Sequence, residues 1–277
     1  MKRTRLVSLG LLGLLVTVLS QAESWQRSGE YAHPAITESS GIAVSRQYAG
    51  VYWTMNDSAG PPSIYATTRT GELIREFRVD GATNRDWEAL AIDDESTLWI
   101  GDIGNNMRRR ETLTVYAVEE PNPFHDIEVR LKAIHRFRYP EGSFDAEAMF
   151  VAGGLPYIVT KTPLHAVLYR FESLRSDEVQ VLKKVGEVKA AKFVTGADIS
   201  PDGARLAFCT YNRLWLYEIP ATPTSDWPKR LALAVESQPV TIKHPVGGEA
   251  VGFDGENLVM TNERRGIYVC PTPQLAR

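Results

Sequence analysis

Cysteine and histidine are scarce in this chain of 277 residues, which contains two cysteines and five histidines. Zinc sites are built mainly from clusters of these two residue types. The sequence also lacks the H-E-x-x-H zinc motif, the G-x-S-x-G nucleophile elbow and the G-x-x-x-x-G-K-[ST] phosphate loop. These absences exclude the best-defined zinc, serine-hydrolase and nucleotide-binding sites. Cys209 and Cys270 leave two alternatives open, a disulfide in an oxidising compartment or two buried apolar side chains.

Long apolar runs are missing except at residues 6–20, which follow Lys2, Arg3 and Arg5. A positive start, a short apolar run and small residues such as Ser20 and Ala22 are typical of a secretory signal peptide. The run is shorter than the roughly 20 residues of a membrane-spanning helix, and no cysteine follows it for a lipid anchor. We therefore predict a signal peptide at 1–22, a single domain at 23–277, no membrane anchor and a periplasmic or secreted location.

Basic residues are not concentrated along the chain, which carries a formal net charge of −3. The one basic run, at 108–110, lies in a long polar stretch, GNNMRRRE, between two predicted strands. We expect no nucleic-acid partner, because such proteins present a basic face or stripe. The run at 108–110 is either a solvated loop tip or a recognition element for an acidic ligand. The sequence identifies no protein partner.

An acidic residue followed by small and apolar residues recurs about every 50 residues, which indicates an internal repeat. A tyrosine that follows an aliphatic residue recurs with the same period. The five acids are Glu38, Glu88, Glu147, Asp198 and Glu249, and the five tyrosines are Tyr65, Tyr116, Tyr169, Tyr217 and Tyr268.

Each repeat reads as four antiparallel β-strands, with turn sequences such as SPDG between them and no convincing helical period. Four strands repeated in this way form a β-propeller blade. After Glu249 only three strands fit into the remaining sequence, and residues 24–37 can supply the fourth strand. We predict an all-β, five-bladed propeller whose N-terminal strand closes the last blade.

The five acids begin the innermost strands, so we expect them to converge at one mouth of the central channel. Carboxylates about 4 Å apart repel each other by roughly 4 kcal/mol at an effective dielectric constant of about 20. A divalent cation would relieve this repulsion, and all-oxygen ligands suit calcium. The alternatives are that the acids accept backbone hydrogen bonds from neighbouring blades, or that they act in catalysis without a metal.

A second polar set lies near the ends of the second strands, which return to the same face as the acids because they run antiparallel to the first strands. We interpret it as a ligand-binding funnel. Its members are Asp57, Asp102, Lys161, Tyr211 and Asn262. Lys161 either binds an anion or neutralises the acids. The candidate catalytic residues are Asp86 and Asp145 as general bases and Lys161 as the anion-binding group.

Several segments resemble a family of secreted bacterial β-propeller proteins: ESSG, NDSAG, DWEALA, GDIGNN, DAEAM and VTGADISPDG. The resemblance covers nearly the whole chain after residue 22. The layout is similar, more weakly, to the calcium-activated apyrases, five-bladed propellers with acidic and hydroxyl residues around a central calcium. This second resemblance implies that Glu38, Glu88, Glu147 and Glu249 contact the cation or its waters, with Asp198 in the remaining blade.

The sequence thus predicts an exported, calcium-centred propeller that binds a small polar or anionic ligand and hydrolyses a phosphoanhydride or an ester. The alternative is a non-catalytic propeller that binds proteins or glycans. Acids that converge at an open, water-filled mouth would favour the first interpretation. A plugged channel with an exposed aromatic patch on an outer face would favour the second.

Overall fold

The computed structural model describes residues 25–58, 60–221, 226–244 and 246–273, and the predicted signal peptide lies outside them. The strands, numbered along the chain, form five antiparallel sheets, each starting from an inner strand. Blade one contains β2 (Ser39–Val44), β3 (Val51–Asn56), β4 (Ser63–Thr68) and β5 (Leu73–Arg78). Blade two contains β6 (Trp87–Ile92), β7 (Thr97–Asp102), β8 (Leu113–Glu119) and β9 (Leu131–Arg138). Blade three contains β10 (Ala146–Ala152), β11 (Leu155–Thr160), β12 (Ala166–Arg170) and β14 (Lys183–Val188). Blade four contains β15 (Gly196–Ile199), β16 (Arg205–Cys209), β17 (Arg213–Glu218) and β18 (Val240–Lys243).

Blade five is built from both ends of the described chain. Its strands are β19 (Gly248–Asp254), β20 (Asn257–Asn262), β21 (Gly266–Pro271) and β1 (Gln26–Glu30). The N-terminal β1 pairs antiparallel with β21, as the sequence predicts. At this closure the Glu30 N–H donates to the Thr70 carbonyl of blade one at 3.1 Å. The edge of the last sheet is therefore covered, which removes a surface for unwanted strand pairing.

The inner strands contact one another in the order β2, β6, β10, β15, β19 and back to β2, so the ring closes. One apolar cluster fills the space between each pair of neighbouring blades. Between blades one and two, for example, Trp53 and Phe77 pack against Leu90 and Ile100. The inner strand β6 is buried along its whole length, because it faces neighbouring blades on both sides. The predicted five-bladed propeller is confirmed.

The five repeated tyrosines all lie on the third strands of their blades, at equivalent positions opposite the second strands. Tyr65 faces Thr54 and Tyr116 faces Ile100 across their strand pairs. Tyr169, Tyr217 and Tyr268 face Ile158, Leu206 and Met260 in the same way. The tyrosine period therefore records the blade period.

Two elements depart from the expected all-β repeat. A helix, α1 (Trp227–Glu236), lies in the connection between the third and fourth strands of blade four and packs against β14 and β17. Leu231, Ala234 and Val235 face the core, and the Asp226 side chain accepts a hydrogen bond from the Lys229 N–H at the N-terminus. The prediction of no helix is wrong here, because one short helix inside β repeats leaves only a brief 3.6-residue pattern.

The second departure is a fifth strand on blade two. β13 (Val179–Val181) pairs in parallel with the outer strand β9, although its sequence lies between two strands of blade three.

Cys209 and Cys270 are both buried. The Cys209 thiol lies 3.6 Å from Thr195 Oγ1, and the Cys270 thiol donates to the Pro271 carbonyl oxygen. Of the two alternatives for the cysteines, these contacts match buried thiols.

Among the described residues, no helix has both the length and the apolar character needed to cross a membrane.

Candidate functional site

Three of the predicted acids occupy the same structural position, a β-bulge near the start of an inner strand. The pairing register shifts on either side of Glu88 in β6, of Glu147 in β10 and of Glu249 in β19. A bulge leaves one residue unpaired and re-aims its side chain. All three glutamates are buried, with at most 8% of their surface exposed. The structure therefore brings together three of the five acids.

The other two acids lie elsewhere. In blade one the bulge falls at Ser40, and Glu38, two residues earlier, is exposed. In blade four Gly196 lines the channel beside the bulge residues of the other blades. Asp198, two residues later, accepts a hydrogen bond from the Phe253 N–H of blade five at 2.9 Å. The Asp198 contact is of the repeat-locking kind named as an alternative for these acids.

A tighter cluster of acids forms at the mouth between blades one and two. One carboxylate oxygen from each of Asp57, Asp86 and Glu88 can be chosen so that all three lie within 4.8 Å of one another. Asp57 follows β3, Asp86 immediately precedes β6, and Glu88 is the bulge residue of β6. Asp57 and Asp86 are half-buried and Glu88 is buried. We call these three residues the acidic triad.

Gly104 makes room for the acidic triad. A Cβ at this position would lie 2.3 Å from Asp86 Oδ2 and 2.8 Å from Glu88 Oε1. Only a residue without a side chain leaves both carboxylates in place. The glycine of the GDIGNN segment therefore belongs to the site.

Asp102 positions the Asp86 loop through a network of hydrogen bonds. The Asp102 carboxylate accepts from the Asp86 N–H at 3.1 Å and from the Arg110 guanidinium at 2.7 Å. Arg110 also donates to the Gly104 carbonyl at 2.7 Å, and the Gly104 N–H donates to the Asp86 carbonyl at 3.1 Å. Asp102 is thus engaged below the funnel, while Arg108 and Arg109 remain exposed.

Asp57 is held from the other side. The Asn84 side-chain amide donates to the Asp57 carbonyl at 2.6 Å, and the Ser58 N–H donates to the Asp57 carboxylate. Asn84 also accepts from the Trp87 N–H at 3.2 Å, which links the Asp57 loop to the start of β6. Backbone contacts from two blades therefore set the spacing of the acidic triad.

Burial and mutual repulsion raise the pKa values of the acidic triad. For Asp86 the main cause is burial and the next is the charge of Asp57. Burial also raises the pKa of Asp57, against the Ser58 hydrogen bond. For Glu88 burial comes first, followed by the charge of Glu147, and its pKa lies well above its usual range. Among the described residues, no ion pair involves the acidic triad.

Lys161 follows β11 and pairs with Glu147. Its ammonium also donates to the Tyr211 hydroxyl at 2.9 Å and lies 5.2 Å from the centre of the Tyr211 ring. Burial lowers the pKa of Lys161, but the Glu147 charge outweighs it and raises that pKa overall. Burial raises the pKa of Glu147 to about 7, although Lys161 opposes this shift. Lys161 is therefore charged and links blade three to blade four.

The remaining predicted site residues have structural contacts. Asp145 is buried and accepts the Asn105 N–H at 2.7 Å. Asn262 donates to the Val246 carbonyl at 2.7 Å and accepts from the Gly266 N–H at 2.8 Å. Tyr211 is exposed beside Lys161. Of the predicted funnel residues, Asp57, Lys161 and Tyr211 thus face the mouth, and Asp102 and Asn262 support it.

Below the mouth the channel is filled. Side chains of the inner strands, among them Leu90, Met149 and Val251, leave a space of about 10 Å³, roughly one water. Any ligand must therefore bind at the mouth and not within the channel.

Three residues that matter here have no predicted role in the sequence analysis: Gly104, Arg110 and Glu263. Gly104 stands in a recognised segment, and its proximity to Asp102 is the signal that could have shown its role. Glu263 contributes to raising the pKa of Glu249 to about 9, after burial and Glu147. It follows Asn262 at the end of β20, where the sequence places the polar set.

No protein-family model matches the chain. A search of curated proteins also finds no match.

The structural neighbours are β-propeller proteins. One is a proposed gluconolactonase, at 11% identity and a TM-score of 0.47, covering 91% of this chain and 92% of its own. Another is virginiamycin B lyase from Staphylococcus aureus, at 11% identity and a TM-score of 0.46, covering 90% of this chain and 99% of its own. A chain of a nidogen–laminin complex matches at 11% identity and a TM-score of 0.46, covering 82% of this chain and 73% of its own. Similarity at this level concerns the propeller architecture and not any activity.

Proposed function

We propose that this protein binds a calcium ion between Asp57, Asp86 and Glu88 and binds a small anionic ligand beside it. The observation that carries the proposal is the convergence of these three carboxylates within 4.8 Å. They have no ion-pair partner among the described residues. The space that Gly104 leaves open beside two of them supports the same interpretation.

The donor set suits a hard cation. Carboxylate oxygens are the ligands that calcium and magnesium prefer, and calcium accepts irregular coordination by 6–8 oxygens. Asp57 and Asp86 are half-buried, so water and a ligand oxygen have access to the same ion. A bound cation would offset the repulsion that raises the pKa values of Asp86 and Glu88. The structural fit therefore favours a hydrated divalent ion at the mouth.

We propose that the reaction is hydrolysis of a phosphoanhydride or an ester. A cation at this site would polarise a phosphoryl or carbonyl oxygen. An ammonium has three donor hydrogens, and Lys161 uses two of them on Glu147 and Tyr211. Its third hydrogen remains for the anionic part of a substrate. Asp145 is engaged with the Asn105 N–H, so we assign it a supporting role and not that of a base.

We also propose that the protein is exported to the periplasm or the exterior. The proposal rests on the N-terminal sequence, a basic start followed by the apolar run at 6–20. Extracellular calcium sites operate at about 0.1–1 mM. Sequencing the N-terminus of the protein recovered from the periplasm tests this point, and an uncleaved chain in the cytosol would contradict it.

The metal proposal is tested by thermal unfolding in calcium, magnesium and chelator. Bound calcium stabilises the folded state by about 2.7 kcal/mol at a hundredfold excess over Kd, so the melting temperature should rise in calcium and fall in chelator. Asp86→Asn should abolish the shift. Asp80→Asn, at an exposed aspartate outside the triad, should retain it. A wild-type protein without a shift at about 1 mM calcium would contradict the proposal.

A non-catalytic binding platform is the second candidate, and the filled channel favours it. A screen of phosphate and carboxylic esters separates the two. Hydrolysis that requires calcium and is lost in Asp86→Asn supports the enzyme. Calcium binding without turnover of any ester supports the platform.

A further inference from the structure

A cavity of about 470 Å³ lies at blade four, on the outer side of Tyr211. Small-molecule sites usually have volumes of about 300–1,000 Å³. The cavity is lined by Ala190, Lys192, Phe193, Thr210, Tyr211, Asn212, Arg213, Trp215 and Thr241. It is connected to the acids at the mouth through side-chain contacts, because Tyr211 accepts a hydrogen bond from Lys161, which pairs with Glu147.

Aromatic rings form one part of its wall. Phe193 and Tyr211 are exposed by 47% and 44%, and Trp215 is buried behind them. Phe193 has a φ of 53°, in the left-handed region that bulky residues rarely adopt. Its N–H donates to the Thr162 carbonyl at 2.9 Å, which contributes to holding this conformation. Backbone strain that presents an apolar ring to solvent is typical of binding sites.

The charges around the cavity are positive. Lys192 and Arg213 line it and are exposed, and Lys161 lies on the far side of Tyr211. No acidic residue is among the described residues of its lining. An aromatic wall combined with lysine and arginine side chains is complementary to a ring that carries an acidic group.

We infer that this cavity binds the aryl group of an anionic aryl ester, and that it is the substrate subsite of the acidic site. The ring packs against Phe193 and Tyr211, and the acidic group takes the charges of Lys192, Arg213 and Lys161. The aryl group would then lie on one side of Lys161 and the acidic triad on the other. Only the delivery of the ester to a metal ion rests on the proposed function, since binding of the ring needs no metal.

The inference is tested by calorimetric titration of the chelator-treated protein with 4-nitrophenyl phosphate, inorganic phosphate and 4-nitrophenol. We expect 4-nitrophenyl phosphate to bind at least about tenfold more tightly than either of the other two probes. Phe193→Asn removes the ring and retains a residue that tolerates the left-handed region. It should weaken 4-nitrophenyl phosphate at least tenfold and leave inorganic phosphate unchanged. Arg213→Ala should weaken both phosphate probes and spare 4-nitrophenol.

Phe124→Ala is the matched control, because Phe124 is 53% exposed and lies outside the cavity. It should leave all three affinities unchanged. Equal binding of 4-nitrophenyl phosphate by the wild type and Phe193→Asn would overturn the inference, as would binding no tighter than that of inorganic phosphate. Aryl phosphate binding in a protein that shows no calcium shift would leave this subsite standing and remove the proposed metal centre. A calcium shift without aryl phosphate binding would do the reverse.

Discussion

The backbone of Gly104 lies so close to the Asp86 carboxylate that a Cβ on Gly104 would be 2.3 Å from Asp86 Oδ2. Gly104→Ala should therefore displace the Asp86 side chain and abolish the calcium-dependent rise in melting temperature. The fold should survive, since the obstructing atoms are at the ends of acidic side chains. Gly252→Ala is the control, because its Cβ would meet only a 3.4 Å contact with Val259. A Gly104→Ala protein with an unchanged calcium shift would show that Asp86 is not a ligand.

Lys161 and Glu147 form a largely buried ion pair, with 15% and 9% of their side chains exposed. Removing one partner of such a pair leaves an uncompensated charge and costs about 3 kcal/mol. We expect Lys161→Met to lower the free energy of unfolding by about this amount in urea denaturation. The double variant Lys161→Met/Glu147→Gln should recover most of the loss. A single variant as stable as the wild type would contradict the pairing.

Glu249 makes the stability of the metal-free protein depend on pH. Burial, followed by the charges of Glu147 and Glu263, raises its pKa from 4.5 to about 9. Between these values the folded protein holds a proton that the unfolded chain has released, so stability should fall as pH rises from about 5 to about 9. Glu249→Gln should flatten this dependence in thermal unfolding under chelator. Glu256→Gln, at an exposed glutamate, should not. A wild-type curve that rises with pH over this range would refute the assignment.

The closure of the propeller depends on Gly29. A Cβ there would lie 2.1 Å from the Thr70 carbonyl oxygen, a backbone atom that cannot rotate away. Gly29→Ala should push β1 away from blade one and destabilise the fold by about 1–3 kcal/mol. Ser28→Ala, at the neighbouring position, removes one weak 3.3 Å hydrogen bond and should cost less. Equal melting temperatures for the two variants would show that the closure is looser than the structure indicates.

The sequence predicts the blades well and the acid positions less well. Glu38 and Asp198 were each matched to the repeat two residues away from the true position, at Ser40 and Gly196. Side chains alternate along a strand with a period of two, so a shift by two residues preserves the pattern of inward and outward positions. Only the bulge distinguishes the correct register, and a bulge leaves no clear mark on the composition.

The acidic triad could not be predicted for a different reason. Asp57 belongs to the end of β3 in blade one, whereas Asp86 and Glu88 belong to the start of β6 in blade two. Their distance depends on how two blades pack and on the backbone contacts of Asn84 and Gly104. Neither is encoded in a local motif. The helix α1 was more accessible, since Leu231, Ala234 and Val235 follow an i, i+3, i+4 pattern after the cap at Asp226.

The parallel pairing of β13 with β9 gives the third repeat a stake in the second. Residues Val179–Val181 leave the sequence of blade three to cover the outer edge of blade two, and the chain then returns for β14. Exchanging either repeat for a copy from another propeller would strip one sheet of its border or leave a strand with no partner. Blades two and three are therefore a single unit of inheritance and of shuffling, and the four-strand repeat is not the interchangeable module here.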